Sequence, residues 1–110
     1  MIDVDCHISI KKNGVCFLDP TKIDLLTQIK QSGSLRAAAK KCSISYQHAW
    51  TIINDLNNAA PEPLVIKQRG GSNGGGAELS HYGQKIILEY YLIKDQLQKQ
   101  VDRINVEINL

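Results

Sequence analysis

The sequence predicts an α+β domain, mainly α, on three observations. Residues 1–18 alternate with a period of two, whereas residues 20–58 carry the spacing of helices. Residues 64–79 then set a glycine-rich stretch between two short β-prone runs. A long heptad-patterned segment follows over 80–105. At 110 residues there is room for one compact unit, residues 1–110, and a hydrophobic fraction of 43% is enough for a core.

The first element is a β-hairpin over 1–18. Ile2, Val4, Cys6, Ile8 and Ile10 share one parity, with Asp3, Asp5, His7 and Ser9 between them, as in a half-buried strand. Asn13-Gly14 tolerates the positive φ of a tight turn, and Val15-Cys16-Phe17-Leu18 reads as the returning strand.

Three helices follow within 20–58. Asp19 is a good N-cap and Pro20 suits the first helical position, so the first helix spans 20–32, with Ile23, Leu26 and Ile29 inward and Gly33 as its stop. Ser34 caps a short helix, 35–41, whose Leu35, Ala38 and Ala39 let another helix approach closely. Cys42-Ser43-Ile44 makes a tight turn, and Ser45 caps the third helix, 46–58, with Ala49, Ile53 and Leu56 inward. A short helix, a three-residue turn and a longer helix have helix-turn-helix spacing.

Pro61 and Pro63 end the third helix, and Leu64-Val65-Ile66-Lys67 is a strand. Residues 69–76 hold five glycines in eight positions and cannot keep a fixed helix; Ala77-Glu78-Leu79 returns as the partner strand. Strand, basic loop and strand directly after a helix-turn-helix make a wing. Ser80 then caps a helix from His81 to about Asn105. Ile86, Tyr90, Ile93, Leu97 and Ile104 fall at alternating steps of four and three, with Gln100 in one slot and Val101 beside it. A helix of about 25 residues is near 37 Å long, more than a small domain covers, so its distal half predicts a homodimer. The expected fold is thus a winged helix-turn-helix with an N-terminal β-hairpin and a long C-terminal dimerisation helix.

Charge and motifs narrow the function. Residues 34–85 carry six basic side chains against three acidic ones, so the net charge of +2 is concentrated where a phosphate backbone could be met. His7, His48 and His81 lie on different elements with no second ligand one turn away, so no metal is expected. Cys6, Cys16 and Cys42 suggest neither a disulfide framework nor a zinc site. The glycines of 69–76 are not followed by the Lys-Ser/Thr that opens a P-loop helix. No catalytic constellation emerges; no enzyme and no cofactor are expected. There is no run of about eighteen apolar residues, and MIDVDCHISIKK lacks a signal peptide's apolar block, so no membrane partner is expected and the location is cytoplasmic.

The third helix is the candidate reader of duplex DNA. Gln47 and Asn54 suit paired hydrogen bonds to adenine, Thr51 can meet a thymine methyl, and Tyr46 can reach phosphate. Two readings stay open for Trp50: partial burial with DNA contact, or core packing. Ser34 and Ser45 cap helix N-termini whose free N–H groups suit phosphate. Arg36, Lys40 and Lys41 add charge, and Arg69, Ser72 and Asn73 place the wing along the backbone or in the minor groove. The alternative for 69–76 is a passive hairpin, and for the whole protein a winged helix that docks a protein partner. The dimer seam is Ile86, Tyr90, Ile93, Leu97, Val101 and Ile104.

These residues also carry a family pattern. LDPTKIDLL (18–26), GSLRAAAKKCSISYQHAW (33–50), TIINDLNN (51–58) and GGSNGGGAELSHYGQKII (70–87) closely resemble the N-terminal DNA-binding domain of the ModE family, bacterial regulators of molybdate uptake with a LysR-type winged helix. The resemblance covers about residues 4–105. It implies dimerisation through the N-terminal hairpin and the long last helix, with the third helices in successive major grooves of a pseudo-palindromic operator. Ser45, Tyr46 and Trp50 stand where the family's recognition helix has the same residue types, while Gln47 replaces what is often lysine. Full-length members bind molybdate in C-terminal domains, so no molybdate site is expected in these residues.

Overall fold

The computed structural model describes residues 2–68 and 76–110, in the order β1 (Ile10–Lys12), β2 (Val15–Leu18), α1 (Pro20–Ser32), α2 (Leu35–Lys41), α3 (Tyr46–Ala59), β3 (Val65–Gln68), β4 (Gly76–Leu79) and α4 (His81–Glu107). Each helix begins at a cap. The Asp19 carboxylate accepts from the Lys22 N–H at 2.8 Å, and Ser34, Ser45 and Ser80 accept from the N–H groups of Ala37, His48 and Gly83. Gly33 closes α1 in the left-handed region, φ 69°, and donates its N–H to the Ile29 carbonyl.

The core lies where α1, α2 and α3 meet. Leu25, Leu26, Ile29, Ala38, Ala49 and Ile53 are fully buried there, joined by Leu64 and Val65 at the start of the wing. β3 and β4 pair antiparallel from Val65↔Leu79 to Gln68↔Gly76. This ribbon is tied back to the helices: Ala77 donates to the Gly33 carbonyl, and Ser34 bridges Gly76.

At the N-terminus the turn is as expected and the strand is shorter. Asn13 and Gly14 both have positive φ, 54° and 79°, and Lys12 pairs with Val15 across them. The ladder, however, runs only over Ile10–Lys12, with a bulge at Ile10/Lys11. A strand needs a partner for its backbone groups. β2 is four residues long and passes into the α1 cap, so residues 2–9 outrun it. They are extended along α4 instead. Asn105 exchanges two hydrogen bonds with the Val4 backbone, and the Tyr90 hydroxyl donates to the Ile8 carbonyl at 3.3 Å. The period-two pattern still decides what faces inward, since Cys6, Ile8 and Ile10 are half-buried and Asp3, Asp5, His7 and Ser9 exposed.

α4 starts on the core and leaves it. Gly83 and Tyr90 are buried, whereas Ile93, Leu97 and Ile104 are 41–48% exposed. At 27 residues it is about 40 Å long, which accounts for the 57 × 29 × 21 Å extents. No helix of the described residues is long and apolar enough to cross a membrane.

Candidate nucleic-acid interface

α3 is presented by its inward face. Ala49, Ile52, Ile53 and Leu56 are buried, and the small Ala38 and Ala39 of α2 admit the close approach. The corner between the helices is fixed by Cys42 donating to the Ala38 carbonyl and Ile44 to that of Ala39. Ser43 takes a positive φ of 58° to make it. With that face spent on packing, Gln47, Thr51 and Asn54 are left exposed at steps of four and three, one side of the helix. Thr51 donates its hydroxyl to the Gln47 carbonyl at 3.1 Å, which fixes its rotamer.

Aromatic side chains edge this polar row. Tyr46 and Trp50 are half-buried against the core, their rings edge to face at 6.4 Å. Trp50 is therefore neither wholly in the core nor free of it. The Arg36 guanidinium lies 4.4 Å from the Tyr46 ring centroid, and the Lys67 ammonium sits over the Trp50 ring and 2.9 Å from Asn54 Oδ1. Burial lowers the Lys67 pKa from the ordinary lysine range. A cation from α2 and one from β3 thus flank the row.

The remaining expected contacts divide by place. Ser34 and Ser45 spend their side-chain oxygens on capping, leaving the first-turn N–H groups of α2 and α3 as the donors there. Lys40 and Lys41 are exposed in the last turn of α2, just before the corner that leads to α3. Lys41 also borders a shallow pocket with Thr21, Asp24 and Cys42, where burial first and then Asp24 push the Cys42 thiol pKa up. Arg69, Ser72 and Asn73 lie outside the described residues. No group of three or more His, Cys, Asp or Glu gathers among the described residues.

The α4 seam divides in two. Ile86 and Tyr90 pack on the core of their own chain, and Val101 is half-buried farther along the helix. Ile93, Leu97 and Ile104 face outward. Sequence reasoning did not single out Lys67 or Asn57, which the fold brings to α3 from β3 and to β3 from α3. Both act across the turn between these elements, and a periodic pattern carries no signal for such pairs.

No family model matches the chain. Among curated proteins it is 41% identical over 92 residues to the molybdenum transport protein ModE of Azotobacter vinelandii, covering 84% of this chain and 34% of that protein. It is 41% identical over 95 residues to the DNA-binding transcriptional dual regulator ModE of Escherichia coli K12, covering 86% and 36%. It thus spans about a third of the length of the curated relatives it matches. Among solved structures, the CbnR DNA-binding domain in complex with DNA superposes with a TM-score of 0.61 at 17% identity, over 78% of this chain and 93% of that one. A LysR family transcriptional regulator gives 0.60 at 16%, over 84% and 32%. The chain is a homologue of the ModE transcriptional regulators over most of its own length, with the winged helix-turn-helix fold of LysR-type DNA-binding domains.

Proposed function

We propose that the chain binds duplex DNA sequence-specifically as a homodimer and regulates transcription from the cytoplasm. The observation that carries this is the exposed row Gln47–Thr51–Asn54, set on a rigidly packed helix between the cations Arg36 and Lys67. Such a row meets base edges in a major groove, where amide side chains pair with purines and a threonine methyl meets thymine. Tyr46 and Trp50 border it, and phosphates are met by Arg36, Lys40, Lys41, the first turns behind Ser34 and Ser45, and the wing residues Arg69, Ser72 and Asn73. The name of the Escherichia coli relative and the DNA-bound state of the CbnR domain support the reading.

Homodimerisation places Ile93, Leu97 and Ile104 of two α4 helices against each other. Two α3 helices about 34 Å apart then fit successive major grooves of a pseudo-palindromic site. No enzyme activity, cofactor or molybdate site is assigned to these residues.

The test is fluorescence anisotropy against the DNA upstream of its own gene and a shuffled duplex, at two salt concentrations. Preference for the native fragment that survives higher salt is the expected result. Equal, salt-labile binding would reduce the role to non-specific association. No binding at low salt would overturn the proposal in favour of a winged helix that docks a protein.

A further inference from the structure

One of the two lone pairs on the Asn54 amide oxygen is already taken. Lys67 stands thirteen residues away on β3, and its ammonium lies 2.9 Å from Asn54 Oδ1. An ammonium only donates, so chemistry alone requires the carbonyl end of the amide to face it. The cation is held there from below, 2.8 Å from the Trp50 ring centroid, and Trp50 is braced in turn by Tyr46 under Arg36.

Reading adenine takes both ends of an asparagine amide, Nδ2 donating to N7 and Oδ1 accepting from N6. Lys67 takes one of the two Oδ1 lone pairs and draws that end of the amide towards β3, which leaves the NH2 group as the end of Asn54 without a partner in that bond. N7 accepts such a donor on either purine, so the bases are separated at the neighbouring position, where guanine and thymine present a keto oxygen and adenine and cytosine an amino donor. We propose that Lys67 determines specificity by holding Oδ1 of Asn54, which converts Asn54 from an adenine reader into a donor for keto edges. Lys67 is a positioning residue here: it acts through Asn54. The inference rests on the DNA-reading role of α3 proposed above and deepens it.

The test begins with duplexes selected from a random pool by the wild-type protein. The base pair at which Asn54→Ala relaxes preference is the one that Asn54 faces. All four base pairs are then placed there and titrated with the wild type, Lys67→Met and Lys67→Arg. The wild type should prefer a keto base; Lys67→Met should move the preference towards adenine by roughly fivefold or more, the scale of one base contact. Lys67→Arg, which still donates, should keep the wild-type order. A Lys67→Met protein that is weaker on every duplex with its base order unchanged would overturn the proposal and make Lys67 a phosphate contact.

A readout without DNA separates the two levels. Trp50 is the single tryptophan, so removing the cation from its ring should change the emission of the free Lys67→Met protein, and Lys67→Arg should restore it. Unchanged emission would overturn the Lys67 bridge while leaving DNA reading by α3 intact. Changed emission in a protein that selects no sequence from the pool would instead sink the DNA-reading role, and this inference with it.

Discussion

Gly83, in the first turn of α4, lies directly against the backbone of Leu64 at the start of the wing. A Cβ at position 83 would collide with the Leu64 carbonyl oxygen and would crowd its carbonyl carbon and Cα at 3.1–3.2 Å. That carbonyl is held in place, because it accepts from the Ser80 N–H at 2.9 Å while the Ser80 hydroxyl fixes the preceding Pro63 carbonyl at 2.6 Å. Leu64 itself is fully buried. Gly83→Ala should therefore destabilise the protein by about 3 kcal/mol, the upper end for overpacking, because a backbone rather than a side chain must move. Urea denaturation checks this; a destabilisation under about 1 kcal/mol would mean that the junction between wing and α4 yields freely.

Asn57 is the wing's other anchor. Its Oδ1 accepts from the Leu64 and Val65 N–H groups at 2.9 and 3.3 Å, and its Nδ2 donates to the Val65 carbonyl at 3.0 Å. One amide thus replaces the strand partner that the start of β3 lacks on that side. Asn57→Ala leaves these groups unmet beside the core and should cost about 2 kcal/mol. Amide exchange should locate the effect, with Leu64 and Val65 losing protection before α1 does.

The two anchors show what a one-dimensional pattern carries. Caps, turns and inward faces are local: Asp19, Gly33, Ser45 and Asn13-Gly14 announce themselves within a few residues, and the structure uses each as read. The exposed row of α3 follows from the same periodicity, because Ala49, Ile53 and Leu56 fix which side is spent on the core. Asn57 and Lys67 are invisible to such a pattern because their partners lie on the next element, beyond a proline-rich turn. The strand expected over residues 2–9 fails for a related reason. Alternation reports which side is buried, but not whether a partner strand exists to fill the ladder, and here α4 buries the apolar parity instead.

Tyr90 joins α4 to that N-terminal segment and gives the protein an alkaline limit. Its ring is 2% exposed, and burial, then the neighbouring Tyr91, Asp19, Asp24 and Cys6, raise its pKa above the ordinary tyrosine value. Below an unfolded-state pKa of about 10 both states hold the proton and the full stability is present. Above it the unfolded chain releases the proton while the fold retains it, so stability falls as pH rises from there towards the folded value. Cys42 is raised in the same direction but remains in both proteins when the wild type is compared with Tyr90→Phe. The mutant should be less stable by about 0.5–1 kcal/mol at neutral pH, where it lacks the bond to Ile8, and should show a shallower decline above pH 10. Parallel stability curves through that range would remove Tyr90 as the cause.

The proposed dimer makes a separate demand of α4. Leu97 is 44% exposed, between Ile93 and Ile104 at 41% and 48%. Buried against a second copy, each would contribute roughly 1–2 kcal/mol. Leu97→Glu places a charge at the centre of that seam, and the mass by analytical ultracentrifugation should fall from dimer to monomer. The monomer's far-UV spectrum should change little, because Leu97 takes no part in the buried cluster of its own chain. A dimeric Leu97→Glu protein would move the interface elsewhere, and a monomeric wild type would remove it.

Gln47 and Lys41 separate reading from holding. Gln47 is exposed in the first turn of α3, and its carbonyl accepts from the Thr51 hydroxyl one turn on. An amide there discriminates one base pair, so Gln47→Ala should cost about 1–3 kcal/mol on the preferred duplex and almost nothing on random DNA. Lys41 is exposed at the far end of α2, where a phosphate releases a counterion when the ammonium meets it but no base edge is read. Lys41→Ala should weaken both duplexes alike and lower the slope of log affinity against log salt by about 0.9 for each phosphate no longer neutralised. The contrast lies in the pair of measurements rather than in either affinity alone. If Gln47→Ala weakens operator and random duplexes equally, Gln47 meets the DNA backbone, and specificity must come from Thr51 and Asn54.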